Sequence, residues 1–136
     1  VGAAGRMEST VVSDAVNAAA RIERLTRRFG ADLLISAVVY EQLPPDMQAD
    51  TRPLGDYMVP GKRHPVVVYE VFAGDPPESH ATKRASRSAV MTAVAQMTAG
   101  TLEAAGLALT TLCQACPNDQ VIRALLDECR RREGRG

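Results

Sequence analysis

Asn17, Arg21, Arg24 and Arg28 recur at helical spacing, so one amide and three guanidinium groups share a stripe. An uncharged amide can orient a hydroxyl or a ring oxygen. A guanidinium one turn later can hold a phosphoryl group through forked donors. The chemistry this pair suits is recognition of a phosphate ester, although spacing alone leaves open a solvated basic face. Other candidates carry less. Cys113-x-x-Cys116 has neither a second cysteine pair nor a nearby histidine to complete a zinc set, so both thiols read as structural. His64 falls in a turn and His80 in a linker, both read as facing solvent, and Tyr40, Tyr57 and Tyr69 read as core or sheet-surface residues. Glu23 can pair with Arg27 at i+4, which makes Arg27-Arg28 the exposed end of a helix.

The elements that must position Asn17 and Arg21 follow from local pattern. Residues 9–12, Ser-Thr-Val-Val, are β-branched and suit a short strand. Ser13 is a good N-cap, and Asp14 puts negative charge in the first turn. Ala15, Ala18, Ile22, Leu25 and Phe29 then form an apolar helical stripe that Gly30 would end as a left-handed C-cap. Residues 33–35 read as a buried strand, and Ser36 as the cap of a brief helix over 37–43 that Pro44-Pro45 terminates. Residues 46–53 read as irregular. Two β-rich runs, 54–59 and 65–72, flank the hairpin signal Pro60-Gly-Lys-Arg-His64. The order implies an α+β layer with helices on one sheet face.

The segment Thr10-Val-Val-Ser-Asp-Ala-Val-Asn17-Ala-Ala-Ala-Arg21-Ile-Glu resembles the Tyr-Thr-Val-Ile-Gly-Asp-Thr-Val-Asn-Leu-Ala-Ala-Arg-Leu-Glu segment of class III nucleotidyl cyclases. The resemblance continues through Gly30-Ala-Asp-Leu-Leu-Ile-Ser36, Tyr40-Glu-Gln-Leu43, Arg52-Pro-Leu-Gly55, Val59-Pro-Gly-Lys62 and Pro65-Val-Val-Val-Tyr-Glu-Val71. It implies the C-terminal half of a ferredoxin-like cyclase domain, with Val1-Gly2 as the tail of a preceding hairpin. Such an enzyme drives the ribose 3′-hydroxyl of a nucleoside triphosphate onto its own α-phosphorus and expels pyrophosphate. The resemblance gives Asn17 the ribose and Arg21 the transition-state charge at phosphorus. Thr10, with the backbone around Val11 and Val12, would line the purine. Lys62 would grip the triphosphate, but the family's first lysine of that turn is Pro60 here, and Arg63 is the candidate substitute.

In the family two aspartates from the other half of the domain hold Mg or Mn with ATP, and sites form across a dimer. That half lies outside this sequence, so the chain alone is expected to bind no metal and to show no turnover. Its expected partners are a second cyclase subunit, in a homodimer, and a nucleoside triphosphate, ATP ahead of GTP. The runner-up function is a non-catalytic dimerisation or protein-interaction module derived from a cyclase.

At 136 residues the chain is one domain, or one with an appendage. Zero formal net charge, spread evenly, argues against nucleic acid as the main partner. No run has membrane-spanning length, no secretory signal is visible, and three cysteines fit reduced thiols, which suits a cytoplasmic protein. Residues 1–74 read as the cyclase-like part, 75–86 as a proline-containing linker and 87–134 as an all-α extension. In the extension, Met91, Val94, Ala95 and Thr98 make one face; Leu102, Ala105, Leu109, Leu112 and Cys116 a second; Ile122, Leu125, Leu126 and Cys129 a third. Arg130, Arg131 and Arg132 suit a helix C-terminus. With Ala105, Leu109 and Pro117, these helices resemble one tetratricopeptide-like unit, though Ala89 and Ala93 stand where bulky residues belong. They also resemble the helical extension of many bacterial cyclases. One such unit cannot bury a core alone, so the helices must pack on the α+β part, a second copy or a protein partner.

Overall fold

The computed structural model describes the backbone of residues 2–135 and the side chains of 16–135. In chain order the elements are α1 (Gly2–Phe29), β1 (Leu34–Ser36), α2 (Ala37–Gln42), α3 (Pro45–Gln48), β2 (Thr51–Tyr57), β3 (Val66–Val71), α4 (Pro77–Thr98), α5 (Leu102–Ala115) and α6 (Gln120–Arg135). The strands form one antiparallel sheet in the order β1-β3-β2. This is an α+β arrangement with a helical C-terminal region. The complete βαββαβ order of a ferredoxin-like unit is not present among the described residues.

The first difference from the sequence reading is at the start. Residues 9–12 are helix, not strand, and Ser13 and Asp14 lie inside α1 instead of capping it. A strand there would need a neighbour for its backbone N–H and C=O groups, whereas a helix satisfies them within itself. The other end is as expected. Gly30 adopts φ +66°, its N–H reaches the Arg27 carbonyl at 3.2 Å, and Ala31 N–H reaches that of Thr26 at 3.1 Å, a Schellman cap. Ser36 caps α2, accepting from Val39 N–H at 3.4 Å.

Residues 46–53, read as irregular, instead contain most of α3 and the first half of β2. Pro53 is tolerated there because β2 is an edge strand, and the ladder is offset between Pro53 and Gly55. That edge is not open. Its Thr51 carbonyl accepts from Arg87 Nε of α4 at 2.6 Å, and its Asp56 carbonyl from Arg132 Nη2 of α6 at 2.7 Å.

The C-terminal helices pack on the sheet. Leu54, Tyr57 and Val68 from the strands share one buried cluster with Leu25 and Phe29 of α1, Met97 of α4, Leu109 of α5 and Leu125 of α6. Most of the stretch read as a linker is the first part of α4, which begins at Pro77, a favourable first helical residue. Its apolar face is also rotated from the one expected: Val90, Ala93, Val94 and Met97 are buried, while Met91, Ala95 and Thr98 are exposed.

A charged cluster lies inside this core. Arg52 of β2 and Glu70 of β3 are completely buried and paired at 2.7 Å. Arg52 Nη1 also donates to Asp119 at 2.9 Å and to Ser86 of α4 at 3.4 Å. Asp119 in turn accepts the Val121 and Ile122 N–H groups and so caps α6. Lys83 of α4 bridges Glu70 at 2.5 Å and Asp75 at 2.7 Å. Strands and tail are thereby joined by charges that water cannot take over.

Candidate functional site

α1 carries Asn17 and Arg21 one turn apart, Asn17 exposed and Arg21 partly exposed. Leu25 and Phe29, on the stripe beside them, are buried in the core and fix the rotation of the helix. Arg21 Nε donates to the Met58 carbonyl at 3.3 Å. The fork at the end of its guanidinium makes no hydrogen bond among the described residues. Met58 directly follows β2, and after it Val59-Pro60-Gly61-Lys62 makes a turn closed by Lys62 N–H to the Val59 carbonyl at 3.1 Å. Gly61 has φ +85°, so with Pro60 before it this is a type II turn. Proline is the residue this turn favours at that position. Lys62 and Arg63 are exposed on the turn.

The structure therefore brings Arg21 to the root of the turn that bears Lys62 and Arg63, with Asn17 one helical turn away. Thr10, Val11 and Val12 lie on α1, and their side chains are outside the described residues. A cavity of about 590 Å³ lies elsewhere, between the C-terminal end of α1, the start of α4 and the α5–α6 connection. Asp32, Asp75, Lys83, Cys116 and Asp119 are among its lining residues, and none of the residues singled out from the sequence for a nucleotide lines it. Among the described residues no three His, Cys, Asp or Glu side chains group to hold a metal ion.

Four residues whose pairing the sequence did not reveal border the site: Arg28, Asp56, Glu128 and Arg132. Arg28, read as an exposed helix end, is half-buried and pairs with Glu128 of α6. Glu128 also accepts from Arg132 Nε at 2.8 Å, and Arg132 Nη1 reaches the Asp56 carboxylate at 2.9 Å. Burial alone would raise the pKa of Glu128, but the hydrogen bonds from Arg132 and Arg28 outweigh it and hold the carboxyl below its ordinary value. The only local signal was the i, i+4 spacing of Glu128 and Arg132; partners 100 and 76 residues distant leave no trace in sequence spacing. Arg27 behaves as expected, paired with Glu23 at 2.7 Å on the surface. His80 does not face solvent freely: it bonds Asp50 at 2.9 Å and sits edge-on to Phe72. Tyr40 and Tyr69 stack with centroids 4.0 Å apart, and burial pushes the Tyr69 hydroxyl pKa up. The thiols of Cys113 and Cys129 are likewise pushed up by burial, which disfavours thiolate chemistry.

No helix among the described residues is long and apolar enough to cross a membrane. No family model matches the chain, and no solved structure matches it. Over 74 residues, 54% of its length, the chain is 39% identical to an adenylate cyclase of Anabaena cylindrica, of which it covers 15%. That likeness supports a cyclase-related origin for this part of the chain.

Proposed function

We propose that this chain is the part of a class III nucleotidyl cyclase that presents Asn17 and Arg21 to a nucleoside triphosphate, ATP ahead of GTP. The observation that carries the reading is the bond from Arg21 to Met58, because it joins the amide-and-guanidinium face of α1 to the base of the Lys62–Arg63 turn. The likeness of part of the chain to an adenylate cyclase also supports the reading. Asn17 would orient the ribose, and Arg21 would stabilise charge developing at the α-phosphorus. Lys62 and Arg63 would hold the remaining phosphates. Thr10, Val11 and Val12 would meet the base. Mg or Mn would arrive with ATP and a second cyclase subunit, so no step is assigned to a metal here.

The reading is tested on the chain as it stands. Titration with inorganic triphosphate and with ATP should give saturable, salt-sensitive binding. Arg21→Ala should weaken it by about tenfold or more, since a charge-assisted hydrogen bond is worth roughly 1.5–3 kcal/mol. With Mn²⁺ and ATP the chain should form no cyclic nucleotide. Binding that Arg21→Ala leaves unchanged would refute the assignment, and an absence of binding alongside a stable dimer would favour the interaction-module reading.

A further inference from the structure

α6 closes a ring of contacts between the two elements that carry the candidate site. On one side of the ring is α1, where Arg21 and Arg28 stand seven residues apart, roughly 10 Å along the axis. On the other side is the end of β2, where Asp56 lies two residues before Met58, a span of roughly 7 Å. The first tie is direct, from Arg21 Nε to the Met58 carbonyl. The second runs through α6: Arg28 to Glu128, Glu128 to Arg132 at 2.8 Å, and Arg132 to both the carboxylate and the carbonyl of Asp56 at 2.9 and 2.7 Å. One tie would let α1 pivot against the strand. Two ties separated along both elements do not.

The middle of the second tie is shielded from solvent. The Glu128 side chain is 3% exposed and that of Arg132 18%, so neither water nor salt readily replaces these bonds. The Arg132 guanidinium also lies 5.4 Å from the centroid of the Tyr57 ring. Tyr57 packs edge-on against Phe29 of α1 at 5.7 Å, so the same brace is filled with aromatic contact. No atom of Glu128 or Arg132 bonds to Asn17, Arg21, Lys62 or Arg63; their effect on those groups passes through α1 and β2.

We infer that Glu128 and Arg132 are positioning residues for the phosphate-binding face. By this route the C-terminal helices set the spacing between Arg21 and the Lys62–Arg63 turn. The inference rests on the nucleotide reading above. It gives the tail a regulatory route as well: whatever displaces α6 loosens the site without touching it.

The test pairs Glu128→Gln with Leu112→Ala, a control that weakens the core through α5 and leaves the brace intact. Inorganic triphosphate affinity is measured by calorimetry, and amide hydrogen exchange is followed over residues 17–29 and 56–62. Glu128→Gln should lower the affinity about tenfold, the scale of one charge-assisted hydrogen bond lost from the brace. It should also speed exchange in both segments. Leu112→Ala should lower Tm and change neither readout by comparison. Unchanged affinity in Glu128→Gln, or an equal loss in the control, would overturn the inference. If the wild-type chain binds no triphosphate, the nucleotide reading fails, and exchange alone decides the brace: selective acceleration in Glu128→Gln sustains it, and its absence removes it.

Discussion

Replacing Arg52 with methionine is the perturbation whose cost the structure fixes best. The arginine is completely buried and donates to Glu70, Asp119 and Ser86. Methionine keeps much of its volume and removes its charge, so the loss is electrostatic more than steric. Removing one partner from a buried ion pair costs about 3–5 kcal/mol, because the remaining charge stays desolvated. Here the carboxylates are not wholly abandoned. Glu70 keeps Lys83 at 2.5 Å, and Asp119 keeps two backbone N–H donors. That places Arg52→Met near the lower end, about 3 kcal/mol, a large share of a typical domain's 5–15 kcal/mol. At roughly 3–4 °C per kcal/mol for a chain of this size, Tm should fall by about 10 °C.

Urea unfolding followed by circular dichroism measures this as a shift in midpoint at constant slope. The triple variant Arg52→Met, Glu70→Leu, Asp119→Asn separates the cause. Asparagine still caps α6, and Lys83 still has Asp75 at 2.7 Å, so no buried charge is stranded. The triple variant should recover more than half of the loss. If Arg52→Met costs less than about 1 kcal/mol, or the triple variant is worse than the single, the buried-charge account is wrong.

The same charges fix the pH response. Burial raises and hydrogen bonds more than offset, so Glu128 and Asp75 sit below their ordinary 4.5 and 3.8, and the stability they supply drains away as pH falls below those values. For Lys83, burial lowers but Asp75 and Glu70 more than restore, leaving it above 10.5; its contribution is lost as pH rises through that higher value. The urea midpoint should therefore be level between about pH 6 and 9 and fall on both sides; a midpoint unchanged at pH 3 contradicts this. Gly30→Ala should cost about 1 kcal/mol, since φ is +66° and the new Cβ overlaps Gln120 Oε1 at 2.7 Å, the end of an exposed side chain that can move, while Gln120 Cβ stays at an ordinary 3.4 Å. Gly55→Ala should cost more, about 2–3 kcal/mol, with φ +106° and Met97 Cε at 3.1 Å. Thermal melts rank the pair, and the reverse order would be wrong for this backbone. Tyr57→Phe removes the donor to the Leu54 carbonyl at 2.7 Å and should cost about 1–2 kcal/mol by the same urea assay.

What sequence could carry was local chemistry. The Schellman glycine, the Ser36 cap and the Glu23–Arg27 pair each involve residues within five positions of one another, and all are present. Strand β3 was legible because its apolar run is short and flanked by turn residues. The start of α1 was not, because four β-branched or small residues favour a strand only when a neighbouring strand is there to pair with. The site divides the same way. Asn17 and Arg21 on one helix, and Lys62 and Arg63 on one turn, were readable; that Arg21 meets Met58, or that Glu128 lies behind Arg28, depends on tertiary contacts.

The misjudged face of α4 shows which force sets this architecture. Its apolar residues are mostly alanines, with little contrast around the helix, so Met91, Val94, Ala95 and Thr98 make as good a stripe as Val90, Ala93, Val94 and Met97, with Val94 common to both. Burial of alanine and valine alone separates those two rotations by little. Polar partners do separate them. Lys83, Ser86 and Arg87 continue the buried face at helical spacing, and they bond Glu70, Arg52 and the Thr51 carbonyl. Turning α4 by one residue would withdraw all three; Arg52 and Glu70 would keep each other, but Glu70 would lose its lysine and the Thr51 carbonyl its donor, at roughly 1–3 kcal/mol for each buried group left unsatisfied, against a packing difference below that. The first half of α4 therefore sets the rotation of its second half. The helix that a hydrophobic pattern left undecided is fixed by the charges buried beneath it.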